Sequence, residues 1–127
     1  MTIVAMAAPA IAPIEELKIS VEAVAVAIVS DDGRMLQGAL PSGVSDESFA
    51  VMSATIVGAA ATVSSDLKQT PPDHIIIRGN DFTMIVARFD PGSLLVTVVG
   101  AAADPDQLTH RIDEFVTSQR LVPKATG

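Results

Sequence analysis

Cysteine, tryptophan and tyrosine are all missing from this chain of 127 residues, and aromatic character is confined to four phenylalanines. Without a thiol there is no disulfide framework, no thiolate metal site and no cysteine nucleophile. That absence fits a reducing compartment, and a cytoplasmic location is expected. Without tryptophan or tyrosine, the stacking platforms that hold single-stranded nucleic acid or sugars are hardly available. Positive charge is also scarce: 8 Lys and Arg stand against 15 Asp and Glu, giving a formal net charge of −7. Phosphate backbones and anionic membrane surfaces are therefore repelled, and no nucleic-acid partner is expected. Charged residues make up 18% of the chain and hydrophobic residues 49%, so the surface is poor in charge and part of it is expected to be covered.

The motifs of several chemistries are missing too. Neither GxxxxGK[ST] nor GxGxxG occurs, so the chain does not read as a GTPase or a dinucleotide binder, and no cofactor is expected. No serine lies in a nucleophile elbow, and no pair of carboxylates is set out for acid–base work. Asp31 and Asp32 lack the alternating oxygen ligands of a calcium loop and read as a turn. Asp104 and Asp106 read as helix-capping residues. His74 and His110 read as solvated or partly packed. No catalytic, cofactor-binding or metal residue is therefore expected, and the chain does not read as an enzyme.

What is present falls into a clear order. An apolar arm at 1–11, lacking the basic start of a signal peptide, is expected to be loose or to dock on this subunit or a neighbour. A short helix over 13–19 has Pro13 at its first position and Ile14 and Leu17 as its apolar side. Residues 21–30 read as a strand apolar on both faces, hence covered on both sides. Asp31-Asp32-Gly33 supplies a hairpin turn with Gly33 at positive φ, and 34–40 return. Ser45 caps a long helix that Pro71 and Pro72 are expected to stop. Strands follow over 74–78, 82–89 and 93–100, the last again apolar on both faces and placed beside the first. Asp104 caps a final helix with Pro105 first and Gln107 completing a capping box; Leu108, Ile112, Phe115 and Val116 face the sheet. The hairpins make the sheet antiparallel, and its two apolar faces require helices on both. The fold class is thus α/β of the α+β type, a three-layer α/β/α sandwich around a five-stranded antiparallel sheet. The domain is bounded at 12–119, with a tail at 120–127.

The long helix organises the rest. No residue from 48 to 65 carries a charge. Its length approaches that of a membrane span, but its Ser, Thr and Gly content favours a soluble interface helix, and membrane insertion is not expected. At about 100° per residue it has two faces. Phe49, Met52, Ile56, Ala60, Val63 and Leu67 form a large stripe expected to face the core, where Phe49→Ala or Ile56→Ala would cost about 2–5 kcal/mol. Ala50, Ala54, Val57, Gly58, Ala61 and Ser65 form a smooth side expected to face outward as an interaction surface. Gly58 supports that expectation, because glycine inside a helix is unfavourable by roughly 0.5–1 kcal/mol relative to alanine. Ile75, Ile76, Ile77 and Arg78 form the second candidate surface. At a sheet edge such a strand would aggregate unless paired, for which a second subunit is the natural partner.

VEAVAVAIVSDDGRML, the acid-capped alanine-rich helix and HIIIRGNDFTMIVARFDPGSLLVTVVG together resemble the Roadblock/light-chain-7 family over about residues 14–118. The resemblance implies a sheet with the long helix on one face and the terminal helices on the other. It implies dimers joined edge to edge through the third strands, here 75–79, with the long helices side by side as a platform for Ras-like small GTPases. Some prokaryotic members regulate GTP hydrolysis without an arginine finger; others are scaffolds or motor-complex light chains. The expectation is a homodimer, or a heterodimer with a paralogue, that binds such a GTPase. The rival readings are a ligand-binding or sensory domain of profilin, longin or PAS-like fold, and a purely structural scaffold subunit. A PAS-like sensor needs a cavity with polar or aromatic lining, and the stripe expected to face inward here is aliphatic.

Overall fold

In a computed structural model, which describes residues 13–121, the chain begins with α1 (Pro13–Ser20). The expected arm at 1–11 and most of the expected tail lie outside the described residues. α1 stops because Glu22 adopts a left-handed φ of 56°. The Ala23 N–H then reaches the Lys18 carbonyl at 2.9 Å and the Glu22 N–H reaches that of Ile19 at 3.2 Å, satisfying carbonyls that the last turn leaves open. Residues 21–24, expected to open the first strand, are instead this helix-terminating turn and the approach to the sheet. β1 starts later, at Ala25–Ser30.

The remaining elements are β2 (Met35–Ala39), α2 (Asp46–Asp66), β3 (His74–Arg78), β4 (Phe82–Asp90), β5 (Ser93–Gly100) and α3 (Pro105–Leu121). The strands form one sheet in the order β2-β1-β5-β4-β3, and every pairing is antiparallel. β1 and β5 are neighbours near the centre, as their two-sided hydrophobicity predicts, with Ala27 opposite Val96 and Ile28 opposite Leu95. β3 is an edge strand paired with β4 alone.

Hydrophobic burial divides the molecule into the expected three layers. On one face Ile14 and Leu17 of α1 and Leu108, Ile112 and Val116 of α3 pack on Val26, Ile28, Ile85 and Leu95. On the other, Ala50 of α2 packs on Ala27, Val29, Val86, Leu94 and Val96. α3 begins as the sequence suggests: Asp104 Oδ1 accepts from the Asp106 N–H at 3.0 Å.

Gly33 turns the β1–β2 hairpin at φ 89°, and its two neighbouring aspartates are held by arginines. Arg88 Nη1 donates to Asp31 at 2.7 Å and Arg34 Nε to Asp32 at 3.2 Å. Asp32 also accepts from the Ser30 hydroxyl. The Ser30 bond, then the Arg34 bond, hold the Asp32 carboxyl below its ordinary range. A carboxyl depressed in the fold stabilises it above the ordinary carboxylate pKa and loses that contribution as pH falls, so this turn loosens in acid.

Candidate protein interaction surface

α2 is well terminated at both ends. Ser45 Oγ accepts from the Ser48 N–H at 3.1 Å, and Asp46 and Glu47 fill the first turn, where the helix dipole favours negative charge. At the far end Lys68 takes a left-handed φ of 58°. The Gln69 N–H then bonds the Ser64 carbonyl at 2.8 Å and the Lys68 N–H that of Ser65 at 2.9 Å. The helix therefore ends on its own turn, before it reaches Pro71 and Pro72.

α2 is turned about its axis from the sequence expectation by roughly a quarter turn, so that each expected face is only partly where it was placed. Ala50, expected outward, is 0% exposed, and Ser53 is buried beside it. Ala54, Val57 and Ala61 are half-buried on the same side, with Val57 packed against the α2-side core. From the stripe expected inward, Met52 is 54%, Val63 58% and Leu67 65% exposed. Phe49, Ile56 and Ala60 are half-buried. Small side chains against Ala27, Val29 and Val96 bring the helix close to the sheet; the large stripe would hold it off. Ala50 and Val57 thus belong to the interior, while Gly58 and Ser65 remain on the surface. A Cβ at Gly58 would meet nothing within 4 Å. Gly58→Ala is accordingly expected to stabilise the domain by about 0.5–1 kcal/mol, seen as a higher urea midpoint at unchanged slope.

Met52, Ile56, Ala59 and Val63 follow one strip along the helix at about 100° per residue. Little along it demands water. Thr55 Oγ1 donates to the Val51 carbonyl at 2.8 Å, Thr62 Oγ1 to Gly58 at 3.0 Å and Ser64 Oγ to Ala60 at 2.9 Å, so these hydroxyls are satisfied within the helix. Val51 and Ala54 approach the Gly33 turn, which sets one flank of α2 over the β1–β2 hairpin. On the opposite flank Phe49 packs on the same cluster as Ile75 of β3 and Met84 of β4, and Ile56 follows Phe49 two turns along that flank.

β3 completes the surface. Ile75 lies opposite Val86 and Ile77 opposite Met84, so both half-buried side chains share the α2 face. His74, Ile76 and Arg78 take the other face, and Ile76 is 43% exposed. His74 Nε2 lies 2.7 Å from Asp113 Oδ1 on α3, a contact across the chain that no sequence pattern announces. Beside it is an open cleft of about 410 Å³ with Asp73, Arg88 and Thr117 in its lining. His110, on the exposed side of α3, lies 3.5 Å from Glu114.

The sheet thus carries an apolar long helix on one face and has β3, paired on one side only, at its edge. The Roadblock/LC7 domain model matches residues 14–99. The chain belongs to the Roadblock/LC7 family. Solved structures with the same fold include Myxococcus xanthus MglB, 16% identical, with a TM-score of 0.79 over 85% of this chain and 89% of that one. A Roadblock/LC7 domain from Streptomyces avermitilis is 15% identical, with a TM-score of 0.77 over 85% and 92%. Acanthamoeba castellanii profilin II is 14% identical, with a TM-score of 0.56 over 84% and 92%, placing the Roadblock/LC7 fold beside that of profilin. No curated protein matches the chain in sequence.

Proposed function

We propose that this Roadblock/LC7 chain is a non-enzymatic interaction module of the cytoplasm that forms a homodimer and binds and regulates a Ras-like small GTPase. The observation that carries the reading is the apolar strip of α2, with Met52 54% and Val63 58% exposed, beside a third strand whose outer edge has no partner strand among the described residues. A monomer that leaves both in water is incompletely buried, and a second copy covers both at once. In this reading β3 and the Ile56–Val63 flank of α2 meet the sister subunit. The far flank, with Gly58, Ala61 and Ser65, belongs to the platform offered to the GTPase. Family membership supports the choice of partner class. Asp46, Glu47 and Asp66 at the two ends of α2 favour a protein partner over a lipid bilayer.

Two measurements test this. Light scattering on the purified chain is expected to give twice the monomer mass. Capture from native extract, once with GDP and once with a non-hydrolysable GTP analogue, is expected to enrich a small GTPase in one nucleotide state. Recovery of none in either state would reduce the proposal to a scaffold. Gly58→Arg, which the open space at Gly58 accommodates, is expected to leave the monomer folded and weaken GTPase capture.

A further inference from the structure

We propose that, in the β3-joined dimer of the reading above, the two strands take a single register centred on Ile76, and that Arg78 of each enters the cleft beside Asp113 of the other. This rests on the dimer reading above and specifies its geometry.

The register follows from the faces of the strand. Ile75 and Ile77 point to the α2 side, and His74, Ile76 and Arg78 to the α3 side. Directly opposed residues of an antiparallel pair point to the same face, and a one-residue slip exchanges the faces. A joined sheet with both α2 helices on one side therefore pairs even-numbered residues with even and odd with odd. Among such pairings, the one centred on Ile76 uses all five residues of His74–Arg78. It sets Ile76 against the partner's Ile76, Ile75 against the partner's Ile77, and His74 against the partner's Arg78.

Charge makes that last pair specific. Among the described arginine side chains, Arg34, Arg88 and Arg111 each have a carboxylate within 4.0 Å, and Arg78 has none. Opposed Cβ atoms lie about 4.5–5.5 Å apart, so the partner's Arg78 arrives at His74, whose Nε2 already lies 2.7 Å from Asp113 Oδ1. Asp73 lines the same cleft, and its carboxylate has no ion-pair partner among the described residues. Arg88, the other cation there, is engaged by Asp31 at 2.7 Å. The cleft can thus take a guanidinium, which suits paired carboxylate oxygens better than an ammonium does. Two-fold symmetry makes the contact twice.

The experiment mixes two charge-reversed chains. Arg78→Asp and Asp113→Arg each place like charges at both contacts of a homodimer and are expected to weaken it about tenfold. Mixed in equal amounts, they place opposite charges at both contacts of a heterodimer, which is expected to form with near wild-type affinity, as read by native mass spectrometry. Loss of monomer fold cannot produce that rescue, and circular dichroism on each variant checks the fold directly. Because the chain lacks cysteine, Ile76→Cys is also expected to oxidise to a covalent dimer by itself, whereas Ile75→Cys, facing the partner's Ile77, is not. A wild-type chain that stays monomeric would overturn both the dimer reading and this contact. A dimeric wild type whose mixed variants show no preference for each other, or a dimer trapped by Ile75→Cys instead, would overturn the contact or its register and leave the dimer standing.

Discussion

Ala50→Glu is expected to unfold the domain, and Met52→Glu, two positions along the same helix, is expected to leave it folded. Ala50 is 0% exposed and touches a core built from Ala27, Val29, Val86, Leu94 and Val96, which offers a carboxylate no partner. A longer side chain there overpacks the core by about 1–3 kcal/mol. Burying the charge, or protonating it to avoid that, adds several kcal/mol more. A domain of this size has about 5–15 kcal/mol in all, so little would remain. Met52 is 54% exposed, and a carboxylate there points into water, with a stability change within about 0.5 kcal/mol. On the dimer proposed above, what Met52→Glu is expected to weaken is association, because the strip that a second copy would cover acquires a charge that must be desolvated. Thermal melts and light scattering on the two variants read both effects. Unfolding by Met52→Glu with Ala50→Glu tolerated would mean that α2 lies the other way up.

The second large effect is on the opposite face. Ile112→Ala is expected to cost about 2–5 kcal/mol in a urea titration, as other large-to-small changes at fully packed sites do. Ile112 is completely buried, in one cluster with Ile85, Ala87 and Leu95. The loss also loosens α3, and with it the Asp113 carboxylate that meets His74 on the edge strand. Ile56→Ala, which the sequence placed among the costly core truncations, is expected to cost less than Ile112→Ala, about 1–2 kcal/mol, because that side chain is only partly buried. An equal cost at the two positions would contradict the layering described above.

These two cases mark where the chain can be read and where it cannot. Element order, sheet direction and the central placing of β1 and β5 follow from local chemistry: the turn built on Gly33, and strands apolar on alternate and intervening positions alike. The edge position of β3 follows from the same topology. The rotation of α2 does not. Hydropathy separates a large face from a small one, yet both are apolar, and what decides between them is how closely the helix must approach Ala27 and Val96. A large apolar stripe left at the surface looks, in sequence, like a core stripe. Helix ends fail for a different reason. Glu22 and Lys68 take the left-handed conformation that glycine would announce, so the stop signals are silent in the sequence. The His74–Asp113 contact joins β3 to α3 across 39 residues, and only the folded sheet brings the two together.

The two margins of the sheet differ in a way that sets how many copies can join. β3 pairs with β4 in one unbroken register from His74 to Arg78. β2 pairs with β1 through a shift between Ile28 and Val29. Met35 also folds across Gly38, where a Cβ would stand 2.9 Å from its sulfur. A bulge coils its strand and turns the margin away from a flat neighbour. One margin therefore accepts a like strand and the other resists it. On the proposed β3 pairing, copies would use up the one accepting sheet margin among the described residues in a single step, so mass is expected to saturate at two chains however far concentration is raised. The limit on polymer growth lies in the unequal ends of the monomer's own sheet and needs no terminating factor.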